Sequence, residues 1–507
     1  MAESPIAKRL GAAIRRPGVR LAALSIGAVW IHGYHLGVDD AEIYIPAIKR
    51  AADPSLFPFG SEFFMSHAHL SLFPDLVGGS VRLTHLPPDV MIFLWHAIGV
   101  FLLLLAAWRL ARACFRGDSA RWGGVALLAG ALSIPVAGTA LAIMDPYLTA
   151  RSLSTPATLF AVACWVSNQR KCALAWLLFT ALVHPQMSVY GTVFLGCLSL
   201  ARRLRPVGSP RPAFALSIPF LWGFGPATGP AREALLSRTY FLLSNWTWYE
   251  WLGLFAPLAL LWAFSARRLR GTTPVFPLIA RTLVPFGLMF TAAGIVLTYT
   301  ARLENFTRLQ PLRSFHLLYL IFFVLLGGLI GEYMLGTSFW RWIALFGPLA
   351  AGMWLFQQTA YPFSLHVEWP GVSGGNDWTA AFLWIRGHTP HDAVFALDPN
   401  YMAAAGDDQH GFRAVAERSA LADNLKDSGA VSLFPQLASR WKQQVMAGDG
   451  WQHFQRADFE KLARQYPVTW IVVQRPEPAG LVCPYENREL DVCRIAPGPN
   501  PLKEYEK

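Results

Sequence analysis

Apolar residues dominate residues 18–362, where they form long segments separated by short polar joints. From residue 363 onward the charge density rises, and the apolar runs shorten to the length of β-strands. This change predicts three parts: a cytoplasmic N-terminal tail (residues 1–17), a transmembrane domain (18–362) and a C-terminal domain (363–507). In the C-terminal domain helical patterns alternate with strand-like runs, which indicates an α/β fold with a small sheet.

The apolar segments predict a polytopic α-helical membrane protein with about eleven transmembrane helices. Basic residues in short loops mark the cytoplasmic side, so neighbouring basic clusters must enclose an even number of crossings. This rule splits residues 172–200 into two short helices broken at His184–Pro185, and it makes the weak segment 213–224 a crossing. Segments 172–184, 187–200 and 213–224 are shorter than the ~20 residues that a crossing needs, so whether they span fully stays open.

This topology places the multi-pass chain in the plasma (inner) membrane. The N-terminus is expected in the cytoplasm, and the C-terminal domain is expected on the periplasmic, extracytoplasmic side. Cys483 and Cys493 are the two cysteines of the C-terminal domain, and in an oxidising compartment such a pair predicts a disulfide.

Composition excludes two classes of protein. Of 507 residues, 54% are hydrophobic and 15% are charged, which is too apolar for an ordinary soluble domain of this size. The net charge of +11 does not indicate nucleic-acid binding, because the basic residues flank apolar segments instead of lining one face.

Charged residues in the predicted outer loops indicate group transfer at the membrane surface. The first outer loop (residues 35–89) carries the candidate catalytic acids Asp39, Asp40 and Glu42. The facing loops carry the candidate phosphate-binding residues Arg151, Arg302, Arg308, Arg313 and His184. A carboxylate can act as a general base or hold a divalent cation, and arginine can grip the phosphate of a lipid donor. The alternative is structural, with Asp39 and Asp40 capping the helix that follows.

Two other groups of residues favour structural roles. Gly327, Gly328 and Gly331 indicate close packing of helices and not a phosphate-binding loop. His67 and His69 lack the additional ligands that a zinc site needs.

Together these features resemble the GT-C superfamily of polyprenyl-phosphate-dependent glycosyltransferases. The similarity comprises the acidic pair after the first helix, the long first outer loop, Asp145 in the second loop, charged residues between late helices, and the C-terminal domain. Residues 378–395 and 466–473 are also similar to helix and strand segments of GT-C soluble domains. The resemblance implies a bacterial enzyme that moves a sugar from a polyprenyl-phosphate donor, a membrane lipid, to an extracytoplasmic glycan or lipid acceptor of the cell envelope.

The same resemblance assigns the acid role to Asp39 or Asp40. Asp145 and Glu304 occupy loops that complete a Mg²⁺ or Mn²⁺ site in the oligosaccharyltransferase branch of that superfamily. The sequence departs from that branch, since Asp145–Pro146 stands in place of its D-x-D motif and no W-W-D-type motif is found in the C-terminal domain. Metal-independent transfer to a lipid or polysaccharide therefore fits better than metal-dependent transfer to a protein.

Two functions of other classes stay as alternatives. A transporter or flippase for a lipid-linked or anionic solute would use the same arginines, but it should show charges near mid-membrane or paired interrupted helices, and the sequence shows neither clearly. A non-catalytic assembly factor of the cell envelope would bind partners through the C-terminal domain, and Asp39 and Asp40 would then be dispensable.

Overall fold

The computed structural model describes residues 16–203, 225–372 and 375–495. Within these ranges the chain is mostly helical and ends in a small sheet. The weak segment predicted as a crossing at residues 213–224 lies outside the described residues, as does most of the N-terminal tail.

The part of the chain before residue 363 is built from helices. In chain order they are α1 (Pro17–His32), α2 (Ala41–Ala52), α3 (Glu62–Ala68), α4 (Phe73–Thr84), α5 (Pro88–Cys114), α6 (Asp118–Ala129), α7 (Ala150–Val166), α8 (Arg170–Val183), α9 (Pro185–Arg203), α10 (Gly229–Leu236), α11 (Trp248–Ala266), α12 (Val275–Tyr299), α13 (Phe315–Ile330) and α14 (Phe339–Ala360). Short 3₁₀ segments cover Thr239–Phe241, Leu243–Asn245, Ala301–Leu309 and Pro311–Ser314, and a π-helical turn, Gly331–Leu335, follows α13.

Five helical runs in the described part of the chain are long and apolar enough to cross a membrane, judged by length and composition. They are Pro88–Cys114, Trp248–Ala266, Val275–Tyr299, Ala301–Leu335 and Phe339–Ala360. A helix rises about 1.5 Å per residue, so roughly 20 residues cross a hydrocarbon core about 30 Å thick.

The predicted helix break at His184–Pro185 is confirmed. Helix α8 ends at Val183 and α9 begins at Pro185, because proline lacks the N–H that would continue the first helix. The apolar residues 122–142 also predict a crossing, but they do not form one continuous helix. Helix α6 ends at Ala129, and the chain from 130 to 149 is buried but not helical.

That non-helical segment satisfies much of its backbone locally. Val136 N–H donates to the Leu141 carbonyl, and Ile143 N–H donates to the Ile134 carbonyl. Irregular backbone can lie at such depth only where protein groups supply the hydrogen bonds that lipid cannot.

The C-terminal domain is an α/β unit. Its helices are α15 (Asp377–His388), α16 (Phe412–Ala416), α17 (Asp427–Leu433), α18 (Ala438–Ala447) and α19 (Arg456–Gln465). Its strands are β1 (Val394–Ala396), β2 (Ser419–Ala420), β3 (Trp470–Gln474), β4 (Val482–Glu486) and β5 (Leu490–Arg494). The sequence pattern over residues 431–446 predicts one helix, but these residues belong to two, because the chain bends at Pro435 between α17 and α18.

The five strands form one sheet in the order β2-β1-β3-β5-β4. Strand β1 runs parallel to β2 and β3, and β5 runs antiparallel to β3 and β4. A disulfide between Cys483 and Cys493 joins β4 to β5.

Buried ion pairs join the C-terminal domain to the segment of residues 35–89. Lys49 Nζ on α2 lies 2.8 Å from a carboxylate oxygen of Asp89 and 2.8 Å from one of Glu417. Ala414 of α16 also packs in one apolar cluster with Val38 and Ile45. The start of α2, which follows the acidic pair, is therefore held against the C-terminal domain.

Candidate functional site

The acidic pair predicted from the sequence lies immediately before α2. Asp39 adopts a left-handed backbone conformation (φ 54°), and its Oδ2 accepts a hydrogen bond of 2.9 Å from the Tyr147 hydroxyl. Asp39 Oδ1 also forms an ion pair with Lys426 Nζ. Asp40 stands at the N-cap of α2 but makes no side-chain capping hydrogen bond. Helix capping therefore does not account for Asp40.

Arg151 connects the acidic pair to the second predicted outer loop. Its Nη2 lies 2.8 Å from Asp145 Oδ2 and 3.4 Å from Asp40 Oδ2. The loop is fixed where α7 begins, since Thr149 and Ser152 form a reciprocal capping box and the Thr149 hydroxyl donates to Asp145. The structure thus brings Asp40 into contact with Arg151, which lies 111 residues farther along the chain and also binds Asp145.

Two histidines and another arginine border this group. His67 of α3 packs edge-on against the Tyr44 ring, with 5.2 Å between ring centroids. Burial lowers the pKa of His67 to about 4; Asp40 opposes this shift, and the charges of Arg151 and Arg313 add to it. His67 is therefore neutral at neutral pH. His184 lies close enough to His67, Arg151 and Arg313 for their charges to affect its pKa.

Arg313 is the cation of this group that lacks a counter-charge in the described part of the chain. Its guanidinium lies over the Tyr240 ring, 5.3 Å from the ring centroid. Its Nε is buried without a hydrogen-bond partner among the described residues. Arg313 is half-buried, and a guanidinium with an unused donor is the type of group that binds a phosphate or carboxylate.

The structure places Glu42 differently from the expectation that it acts beside Asp39 and Asp40. Its carboxylate is 2% exposed and accepts hydrogen bonds from the backbone N–H groups of Arg413 and Ala414. It also lies 3.3 Å from the Arg413 guanidinium. Glu42 thus attaches α2 to the C-terminal domain, because its side chain is enclosed where no substrate can reach it.

Arg302, Glu304 and Arg308 lie on one short segment of the chain. All three belong to the 3₁₀ segment Ala301–Leu309. Glu304 pairs with Arg232 at 3.1 Å and accepts the Ala227 N–H at 3.0 Å. Of the predicted phosphate-binding set, Arg151 contacts Asp40 directly. Arg313 and His184 lie near His67 and Arg151.

The side chains do not fit a Mg²⁺ or Mn²⁺ site built on Asp145 and Glu304. Within residues 16–203, 225–372 and 375–495, no group of three or more His, Cys, Asp or Glu side chains could hold a metal ion. Asp145 is already neutralised by Arg151, which would repel a cation placed beside it.

Sequence reasoning missed Tyr147 and Lys426. Tyr147 follows Asp145–Pro146, so a search of that loop for hydrogen-bond donors could have found it. Lys426 lies in the C-terminal domain, 386 residues from Asp40, and no local pattern distinguishes it from other lysines.

A large open cavity of about 490 Å³ adjoins the charged group. Its lining is mostly apolar and includes Ala47, Ala68, Leu70, Leu72 and Leu182. These residues are close in sequence to the charged group: Ala68 follows His67, and Leu182 precedes His184 by two positions. Leu70, Leu72 and Leu182 are also exposed, so the cavity opens on an apolar surface.

The site thus combines two carboxylates, a set of cations and an adjoining apolar cavity. This combination suits a ligand with a negatively charged head and an apolar chain. No protein-family model and no curated protein matches the sequence. The evidence for function therefore lies in the residues of the site itself.

Proposed function

We propose that the protein is a membrane glycosyltransferase of the GT-C superfamily, which transfers a sugar from a polyprenyl-phosphate donor to an extracytoplasmic lipid or polysaccharide acceptor. The observation that carries this proposal is the contact of Arg151 with Asp40, beside Asp39, with Arg313 close enough to act on the neighbouring His67. A general base and phosphate-binding cations are the two parts that such a transfer requires.

The proposal includes about eleven membrane crossings, with the N-terminus in the cytoplasm and the C-terminal domain outside the inner membrane. The five apolar helical runs support the membrane location. The disulfide between Cys483 and Cys493 supports an oxidising compartment for the C-terminal domain.

Asp40 is the better candidate for the base. Its oxygens lie 3.4 Å from Arg151 and 3.5 Å from Lys426, which is longer than a normal hydrogen bond. Asp39 is engaged at both oxygens, by Tyr147 and by Lys426. An acceptor hydroxyl can therefore displace the weak contacts of Asp40 more readily than those of Asp39.

In the reaction, Asp40 takes the proton of the acceptor hydroxyl while the hydroxyl oxygen bonds to the anomeric carbon of the sugar. The bond between that carbon and the donor phosphate breaks, and the phosphate leaves with the electron pair. Arg313, which has no carboxylate partner among the described residues, and Arg151 stabilise the charge that develops on the phosphate.

The cavity beside the charged group supports a lipid donor. Its volume of about 490 Å³ and its apolar walls suit the first isoprene units of a polyprenyl chain. Since α3 contributes to the cavity wall and carries His67, a chain in the cavity would lie beside the part of the fold that holds His67.

The test is donor consumption by the full-length protein in membranes. Wild type, Asp40→Asn and Asp39→Asn would be given polyprenyl-phosphate sugars, and release of the polyprenyl phosphate would be measured. Removal of a general base should lower the rate about 100-fold or more in Asp40→Asn. Asp118→Asn is the matched control, because Asp118 is an exposed carboxylate paired with Arg121 on α6.

Release that persists in Asp40→Asn would reject Asp40 as the base. If folded wild-type protein consumes no donor across the panel, the glycosyltransferase proposal fails. A flux assay with lipid-linked solutes in vesicles would then test the transporter alternative.

A further inference from the structure

Lys426 places an amino group from the C-terminal domain inside the candidate site. Its ammonium pairs with Asp39 and lies 3.5 Å from Asp40 Oδ1. The residue is 6% exposed, although it lies in a loop directly before α17. Burial lowers the pKa of Lys426 to about 7, and the two adjacent carboxylates favour its charged form.

The loop that carries Lys426 is itself held in place. The Lys426 N–H donates to Asp423 Oδ1 at 2.5 Å. Asp427 binds the Arg413 guanidinium at 2.7 Å, and Arg413 in turn pairs with Glu42 of α2. Arg238, from the part of the chain before residue 363, donates to the Leu425 carbonyl.

The C-terminal domain therefore contacts both the acidic pair and the residue Glu42 that follows it. Lys426 contacts Asp39 and Asp40, and Arg413 contacts Glu42 two residues farther along. A movement of this segment would change the surroundings of the acids directly.

We infer that Lys426 is a positioning residue, through which the C-terminal domain fixes the orientation and the ionised state of the Asp39–Asp40 pair. The effect of Lys426 on the reaction rests on the proposed function, in which Asp40 is the general base. The physical basis is that two neighbouring carboxylates repel each other, so an adjacent ammonium favours the state in which both are ionised.

Other charged and titratable groups also affect the ionisation of Asp39 and Asp40, so these groups must stay unchanged in every variant. The titratable and charged groups that surround the pair from other elements are Tyr44, His67, Asp145, Tyr147, Arg151, His184 and Arg313. Arg151 stays in every variant, so removal of Lys426 alone lowers the positive charge by one.

The experiment is carbodiimide labelling of the full-length protein in lipid nanodiscs, followed by peptide mass spectrometry of the Asp39–Asp40 pair. Carbodiimide reacts with the protonated carboxyl group. In Lys426→Met the pH of half-maximal labelling should rise by about one unit or more, as expected for loss of an opposite charge within ~4–6 Å. Lys426→Arg, which keeps the charge, should retain the wild-type value.

Lys442→Met is the matched control. Lys442 belongs to α18 of the same domain and pairs with Glu233, away from the acidic pair. Its replacement should leave the labelling curve of Asp39 and Asp40 unchanged.

A second measurement is the acid limb of the pH–rate profile for donor consumption. It should shift to higher pH in Lys426→Met by the same amount, and Lys426→Arg should restore it. Labelling needs no turnover. It therefore tests the effect of Lys426 on the acidic pair even if no donor is consumed and the proposed function fails.

An unchanged labelling curve in folded Lys426→Met would overturn the inference. Lys426→Gln, which keeps a polar side chain, serves as the second neutral variant. If both neutral variants fail to fold while Lys426→Arg folds, Lys426 has a purely structural role and the inference is likewise rejected.

Discussion

Arg313 has an unusual position for a charged side chain. Its Nε is buried without a partner, and among the described residues no carboxylate neutralises it. A buried donor without a partner loses its hydrogen bond to water, and an anion that binds there restores one. Arg313 therefore gives the sharpest residue-level test of phosphate binding.

We expect Arg313→Gln to raise the KM for the donor roughly 10- to 100-fold, because a hydrogen bond to a charged group contributes about 1.5–3 kcal/mol. The free energy of unfolding should not fall, since the variant breaks no ion pair among the described residues. Steady-state kinetics with varied donor and thermal unfolding in detergent measure the two effects.

Arg302→Gln is the control for this prediction. Arg302 is exposed and belongs to the separate segment Ala301–Leu309. Equal losses in both variants would contradict the assignment of phosphate binding to Arg313 in particular.

At the scale of elements, α6 and α13 pack through glycines. A Cβ on Gly327 would lie 2.5 Å from the Gly123 carbonyl oxygen, and one on Gly331 would lie 2.2 Å from the Ser119 carbonyl oxygen. Close approach of two backbones through small residues is a common way for apolar helices to associate. This agrees with the expectation that these glycines serve helix packing.

Gly327→Ala should therefore destabilise the protein by about 1–3 kcal/mol, as is usual for overpacking in an interior. The loss would be measured as the change in unfolding free energy in detergent micelles. Gly196→Ala on α9 is the matched control, because a Cβ there meets no atom within 4 Å. A similar loss in both variants would show that helix flexibility, and not the close approach, explains the effect.

At the scale of the whole molecule, the C-terminal domain meets the rest of the chain through a buried histidine. His410 Nε2 lies 2.9 Å from Glu368 Oε1, and His35 Nδ1 lies 3.5 Å from the same oxygen. Burial alone would lower the pKa of His410, but the carboxylates of Glu368 and Asp407 outweigh it and raise the pKa to about 10. His410 is therefore charged in the folded protein at neutral pH.

The sign of the resulting pH dependence follows from the raised pKa. An unfolded histidine titrates near pH 6.5, so the stabilisation by His410 is fully present below about pH 6.5 and is lost as pH rises through about 10. Wild-type stability, measured by thermal unfolding between pH 6 and 10, should fall over this window. His410→Gln should remove that part of the pH dependence.

His453→Gln provides the comparison, because His453 is exposed and distant from this junction in the sequence. If His410→Gln and His453→Gln showed the same pH dependence as wild type, the His410–Glu368 pair would not contribute to docking of the C-terminal domain.

Several features of the fold depend on local sequence pattern and are predictable from it. Runs of apolar residues predicted helices, Pro185 predicted the break between α8 and α9, and alternating patterns after residue 363 predicted an α/β domain with a small sheet. These features follow from residue periodicity and backbone chemistry over a few neighbouring positions.

The contacts between charged residues, in contrast, depend on the three-dimensional fold. The sequence marked Asp39, Asp40 and Glu42 alike, but the fold buries Glu42 against Arg413 and leaves Asp40 in weak contacts with Arg151 and Lys426. It also ended α6 at Ala129, before the non-helical segment of residues 130–149. The physical reason is that ion pairing and burial depend on three-dimensional proximity across up to 386 residues, and neighbouring sequence carries no record of it.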